Sequence, residues 1–286
     1  MRSMKFVSGI ILILVFVCAL MAQEDPKIEA QKLYNEALSL IKRQQTTQAI
    51  EKLNQAIAKD PDLALAYYLL GIAYNRTGDV AKAEEMYKKA IEKDDKMIKA
   101  YNALGLIYVR KKQYPDALNT FKAALGIDTT DAKAYFNVGY VYLQQKDYKN
   151  AIKYYQKAVE IKEDYSKAWL NLGVALAQES KYQEAVNAFQ NALKYEKKRT
   201  EKGNIYLRLG DALSKLGKDS EAITAYTNCI KFATKSTIKA AANFGLGEIY
   251  KKQGNKQKAI VHYQAASRDR AWKQPALYEI ENLKRQ

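Results

Sequence analysis

The chain has 286 residues, 48% of them hydrophobic and 27% charged, which is the composition of a folded globular protein and excludes collagen, low-complexity and disulfide-scaffold classes. Thirteen Gly and four Pro leave few breakers for strand turns, and one His with two Cys cannot supply a paired-histidine zinc helix or a four-thiolate site. Lys and Arg exceed Asp and Glu by 47 to 31, a net charge of +16 that brings acidic partners or anionic surfaces into consideration.

The amino terminus reads as an export signal. Arg2 and Lys5 precede an uncharged run from Phe6 to Ala22, and Gln23-Glu24-Asp25-Pro26 then turn abruptly polar. Cleavage after Ala22 or after Ala19 would each leave a large residue three positions before the cut, Leu20 or Val17. Seventeen residues at about 1.5 Å each span roughly 26 Å, just short of a hydrocarbon core of about 30 Å, so an uncleaved anchor through residues 6–22 stays open beside cleavage. A lipid on Cys18 is a third route, though Val17 stands where a small residue would precede such a cysteine. An exported chain seldom meets nucleic acid, which removes the usual reading of a basic protein.

From residue 28 to 273 the sequence repeats. Gly71, Gly105, Gly139 and Gly173 are spaced by 34, each followed twelve residues later by Ala83, Ala117, Ala151 or Ala185. The series continues at a spacing of 37 through Gly210 and Gly247 and reaches back to Ala37 with Ala49, giving seven units. Within a unit the apolar residues fall on two helical stripes, such as Tyr135, Val138 and Tyr142, then Ala151, Tyr155 and Ala158, so each unit is predicted to be a pair of helices. Turns are expected at Gly78-Asp79, Gly217-Lys218 and Gly254-Asn255. Small residues at Gly71 and Ala83 predict a close helix crossing with Tyr74 and Tyr87 filling the space beside it. Cys229 stands where sibling units have Ala, which predicts a small buried residue.

After Trp272 and Gln274-Pro275, residues 274–286 predict a capping helix with Ala276, Leu277, Ile280 and Leu283 turned inward among charged residues.

Trp169, Leu172, Gly173, Ala185, Phe189 and Ala192, and again Tyr101, Leu104, Gly105, Tyr108, Ala117, Phe121 and Ala124, resemble the tetratricopeptide repeat pattern. The likeness departs at the first unit, where Glu36-Ala37 replace Leu-Gly, at the closing proline, present only as Pro61, and at two three-residue insertions expected in the connections between units. The resemblance implies an all-α, right-handed α-solenoid of about seven helix-turn-helix repeats whose concave face takes an extended peptide or a partner helix.

No catalytic constellation emerges. Gly245-Leu246-Gly247 lacks the third glycine of a dinucleotide loop, Walker and GxSxG sequences are absent, and His262 reads as a surface residue. The chain is therefore predicted to be no enzyme and to need no cofactor or metal. The informative surface is the second stripe of each first helix, the face the resemblance makes concave: Tyr68 and Ile72, Asn102 and Leu106, Phe136 and Tyr140, Leu170 and Val174, with Asn137 and Asn171 as polar groups for the backbone of a bound segment. In units six and seven the stripe becomes Leu207, Asp211 and Ser214, then Phe244, Glu248 and Lys251. Lys194, Lys197, Lys198, Arg199 and Lys202 in the first insertion, with Lys231, Lys235 and Lys239 near the second, predict a basic edge. The combined reading is an exported, periplasmic or extracellular, noncatalytic scaffold for a protein or peptide partner. Its alternatives are a membrane-tethered subunit of an envelope assembly or secretion machine, and a basic module for an anionic polymer.

Overall fold

The computed structural model describes residues 25–285, so the signal segment lies outside the described residues. These residues form fifteen α-helices and no strand, and they divide into two compact units that meet in sequence between Ile127 and Asp128. The first unit holds α1 (Pro26–Lys42), α2 (Thr46–Lys59), α3 (Ala64–Thr77), α4 (Val80–Lys93), α5 (Ile98–Arg110) and α6 (Tyr114–Ile127). The second holds α7 (Ala132–Gln144), α8 (Tyr148–Ile161), α9 (Ser166–Gln178), α10 (Tyr182–Tyr195), α11 (Arg199–Lys215), α12 (Asp219–Phe232), α13 (Ser236–Lys252), α14 (Lys256–Ala266) and α15 (Lys273–Arg285). No helix among the described residues is long and apolar enough to cross a membrane.

The hairpins follow from one turn used seven times. A single residue in each has left-handed backbone: Gln44, Gly78, Lys112, Lys146, Ser180, Gly217 and Gly254, with φ between 59° and 87°. The next residue's amide donates to the carbonyl five positions back, as from Asp79 to Tyr74 and from Lys218 to Leu213, at 2.9 to 3.0 Å in all seven. This 6→1 bond ends the first helix and reverses the chain. Glycine occupies three of these positions as the sequence predicts, and four carry side chains that strain the same turn. Asp79 and Asp147 then cap the following helices, accepting from Lys82 N and Asn150 N at 3.1 Å.

The crossing of the two helices in a repeat is set by a glycine against a ring. A Cβ on Gly105 would lie 2.4 Å from the Phe121 ring, one on Gly173 2.5 Å from Phe189, and one on Gly247 2.5 Å from Tyr263. The first repeat solves the same contact differently: Ala37 stands for the glycine and Leu53 for the ring, and both are fully buried. Gly245 and Gly247 belong to this packing, facing the rings of Tyr226 and Tyr263. The expected core residues Val138, Tyr155 and Cys229 are fully buried, and burial pushes the Cys229 thiol up to about 12, leaving a small apolar filler.

Two expectations are corrected. The three-residue insertions do not lengthen the connections: α11 and α13 have 17 residues against 13 in α7 and α9, so the extra residues extend the first helices by nearly a turn. Gly203 permits this, because a Cβ there would meet the Ala233 backbone at 2.5 Å. At the carboxyl end α15 packs on α14 with Ala276, Ile280 and Leu283 buried, but Leu277 is 42% exposed. The buried residues lie 34 positions after Ala242, Leu246 and Ile249, so α15 is the first helix of an eighth repeat, and Leu277 takes the outward register of the half-buried Asn243.

Candidate protein-binding face

In the first unit the predicted stripe is uneven. Tyr68 and Ile72 are half-buried, with the Tyr68 ring 5.9 Å from that of Tyr87, and Leu106 is 43% exposed. Asn102 is 3% exposed and engaged within the fold, so it lies in the interior and not on a binding face.

In the second unit Phe136, Tyr140, Leu170 and Val174 are half-buried along α7 and α9. Phe136 is not a free anchor, since its ring packs 5.6 Å from Tyr155 and 5.2 Å from Tyr165. Asn137 is 3% exposed and likewise engaged, which corrects its expected role of reading a ligand backbone. Asn171 is half-buried and keeps an accessible edge. Burial pushes the Tyr155 hydroxyl above its ordinary range while the nearby Asn171 amide pulls the other way, and that hydroxyl makes no hydrogen bond of good geometry among the described residues.

In the repeats of Gly210 and Gly247 the residue after the glycine bonds to the ring beneath it, whereas Ile72 and Tyr140 stand beside Tyr87 and Tyr155 without such a bond. Leu106 and Val174 accompany Phe121 and Phe189, whereas Asp211 and Glu248 accompany Tyr226 and Tyr263. Tyr226 Oη donates to Asp211 Oδ1 at 2.9 Å, and Tyr263 Oη donates to Glu248. Desolvation by neighbouring helices pushes the Asp211 carboxyl above the usual range, opposed by the Tyr226 hydrogen bond and the fields of Arg208 and Lys215, although the residue as a whole is exposed. The sequence marks the change from apolar to acidic, but the tyrosine sixteen residues after the glycine is no signal for it, since Tyr87 and Tyr155 hold that position beside Ile72 and Tyr140.

A cleft of about 200 Å³ opens between α9 and α11. Val174, Ala177 and Gln178 line one side, Arg208, Asp211 and Lys215 the other, with Tyr182 and Phe189 from α10. Val174 was anticipated there. Arg208 was not, although it occupies the repeat position of Asn137 and Asn171, two residues before the glycine.

The basic edge is partly spent inside the fold. Lys194 Nζ lies 3.6 Å from Glu163 Oε1 and 4.6 Å from the centre of the Tyr195 ring. Arg199 and Lys231 both sit 5.6 Å from the Phe232 ring, which stacks on Tyr206 at 5.5 Å. Lys197 and Lys198 are exposed, as are Lys235 and Lys239, and Lys202 is half-buried. His262 is also less open than expected: half-buried, it stacks on Tyr250 at 5.4 Å with Nδ1 3.0 Å from Asn243 Oδ1. Among the described residues no group of His, Cys, Asp and Glu could hold a metal.

Tetratricopeptide repeat families match residues 34–98, 105–146, 132–165, 166–199, 203–235 and 240–268. The chain belongs to the tetratricopeptide repeat family. Members of this family are generally noncatalytic interaction modules, and the chain is a protein–protein interaction scaffold in that general sense. Among solved structures it is similar to a tetratricopeptide repeat protein from Parabacteroides merdae, with 20% identity, 90% of this chain and 99% of that one covered, and a TM-score of 0.60. It also resembles the carboxyl-terminal part of a repeat protein from Cytophaga hutchinsonii, at 20% identity, 86% and 99% coverage and a TM-score of 0.69. A third likeness is YrrB, described as a tetratricopeptide repeat protein with an unusual peptide-binding site, at 23% identity, 66% and 96% coverage and a TM-score of 0.53. These likenesses establish the fold. No curated protein matches the chain in sequence.

Proposed function

We propose that this protein is an exported, noncatalytic adaptor that holds an extended segment or a helix of a partner protein on the first-helix face of its second unit. The observation that carries this reading is the half-exposed strip of Tyr140, Leu170 and Val174, which ends at a cleft with charged groups. Apolar and aromatic side chains held at the surface by a rigid scaffold are the usual anchors of an interface. The peptide site described for YrrB, on the same fold, is compatible with it. The signal-like residues 1–22 support a location outside the cytoplasm.

Tyr140→Ser with Val174→Ser tests the face without touching Phe136, whose ring supports Tyr155. The double variant should keep the helical signal and melting of the parent yet bind a cross-linked partner from the native envelope at least about tenfold more weakly, the loss of one good anchor. Equal capture by the folded variant would refute the face. Sequencing the native protein should find its amino terminus near Gln23, whereas intact Met1 in the membrane fraction would assign the tethered form.

A further inference from the structure

The connections between repeats change sign along the chain. Asp60 and Asp62, Asp94 and Asp95, and Glu163 and Asp164 stand in the α2–α3, α4–α5 and α8–α9 connections. The α10–α11, α12–α13 and α14–α15 connections and the helix turns beside them instead expose Lys197, Lys198, Lys235, Lys239, Arg268 and Arg270. None of these six side chains forms an ion pair among the described residues. Against them stand the exposed Glu201 and two acids engaged locally: Glu196 accepts from Ser166 Oγ at 3.0 Å and from Lys198 N at 2.8 Å, and Asp269 accepts from Ala271 N at 3.0 Å. The three connections form one continuous edge, because Gly203 lies against the Ala233 backbone and Ser236 Oγ donates to Asp269 Oδ2 at 2.8 Å. Each also borders one half-buried ring, Tyr195, Phe232 or Trp272. Lys198 and Lys235 are the N-caps of α11 and α13 and make no side-chain cap bond. The helix dipole repels a cation at that end, so local stability does not account for their presence.

We propose that this edge docks the protein on an anionic lipid surface, with the lysines and arginines among the lipid phosphates and the three rings at the level of the headgroups. A row of long, unpaired cations matches a plane of negative charge better than a single enclosed group, and both the α9–α11 cleft and the hollow beside Tyr154 are lined by other residues. The rings decide between a membrane and a soluble polyanion: an aromatic side chain with one side packed and one side wet is favoured at the boundary between headgroups and hydrocarbon, which a dissolved polymer does not offer. This docking uses no residue of the first-helix strip and leaves that face free for a protein partner.

The test is co-sedimentation of the protein from Gln23 onward with vesicles of phosphatidylcholine alone or with about 30% phosphatidylglycerol. At about 0.1 M salt the anionic vesicles should bind at least about tenfold more tightly, and about 0.5 M salt should remove the difference. Changing Lys197, Lys198, Lys235 and Lys239 together to Gln should weaken that binding at least about tenfold, with the helical signal unchanged because all four side chains are exposed. A control with Lys146, Lys149, Lys153 and Lys181 changed to Gln removes the same charge at and near the hairpin turns and should lose less than about twofold. Equal binding to both kinds of vesicle, or equal losses in the two variants, would overturn the proposal, the second by assigning the attraction to net charge alone. So would retention on a sulfated polysaccharide through the same four lysines without binding to either vesicle, which would assign the edge to an anionic polymer. Lipid is the only ligand here and Tyr140 and Val174 stay intact, so failure of this test is distinct from failure of the partner-capture test.

Discussion

At the seven left-handed turn positions, chemistry and geometry disagree in four. Gln44, Lys112, Lys146 and Ser180 adopt a conformation that costs an L-residue about 1–2 kcal/mol, part of which glycine would return through its greater freedom in the unfolded chain. Lys146→Gly and Ser180→Gly are each expected to raise stability by about 0.5–1 kcal/mol in urea unfolding, whereas Gly217→Ala should lower it. The opposite sign is expected at Gly173, where a Cβ would lie 2.5 Å from a Phe189 ring that is 1% exposed and has no room to move. Gly173→Ala should cost about 1–3 kcal/mol, and Phe189→Leu in the same chain should cost less than the sum of the two changes, because it recreates the Ala37 and Leu53 contact. His262 gives a pH dependence. Desolvation, and then the nearby Lys258 charge, lower its folded pKa below the unfolded value of about 6.5, so the unfolded state binds the proton more readily. The native protein should therefore lose stability as pH falls below about 6.5, and melting curves of His262→Gln should lack that part of the loss.

At the scale of an element, α15 separates two kinds of apolar residue that hydropathy alone cannot tell apart. Ile280 and Leu283 are 7% and 5% exposed, and burying each contributes up to about 1.5–3 kcal/mol, so ending the chain at Trp272 should melt α13 and α14 first and promote aggregation. Leu277→Gln should be nearly silent in thermal melts, since its side chain is 42% exposed. A hydrophobic residue at a helical spacing predicts burial only if a neighbour reaches that face. Here α14 covers the face of Ala276, Ile280 and Leu283, and no described helix follows α15 to cover the rest. The extra N-terminal turns of α11 and α13 show the same limit: Arg199 to Lys202 have the polar composition of a loop, yet helix is maintained because Gly203 lets α11 approach Ala233.

At the scale of the whole molecule, each unit is a stack of helix pairs in which a repeat buries its apolar side only against its neighbours. The largest hydrophobic cluster runs from Ala151 to Ile249 within the second unit, so residues 128–286 are expected to fold alone with a cooperative circular-dichroism melt. The repeat was legible as glycines and alanines recurring every 34 to 37 positions, and the helix pairs, the glycine turns and the small-against-large crossings because each is fixed by residues less than about twenty positions apart whose sizes must match. The sequence also marked out the first-helix face on which the proposed binding groups stand. Only the tertiary structure decided which of them are accessible: Asn102 and Asn137 turn out to be interior, Phe136 is shared with the core, and Asp211 is tied to Tyr226. Exposure is decided by how closely neighbouring helices approach and how far their side chains reach, and a periodic pattern carries no record of either.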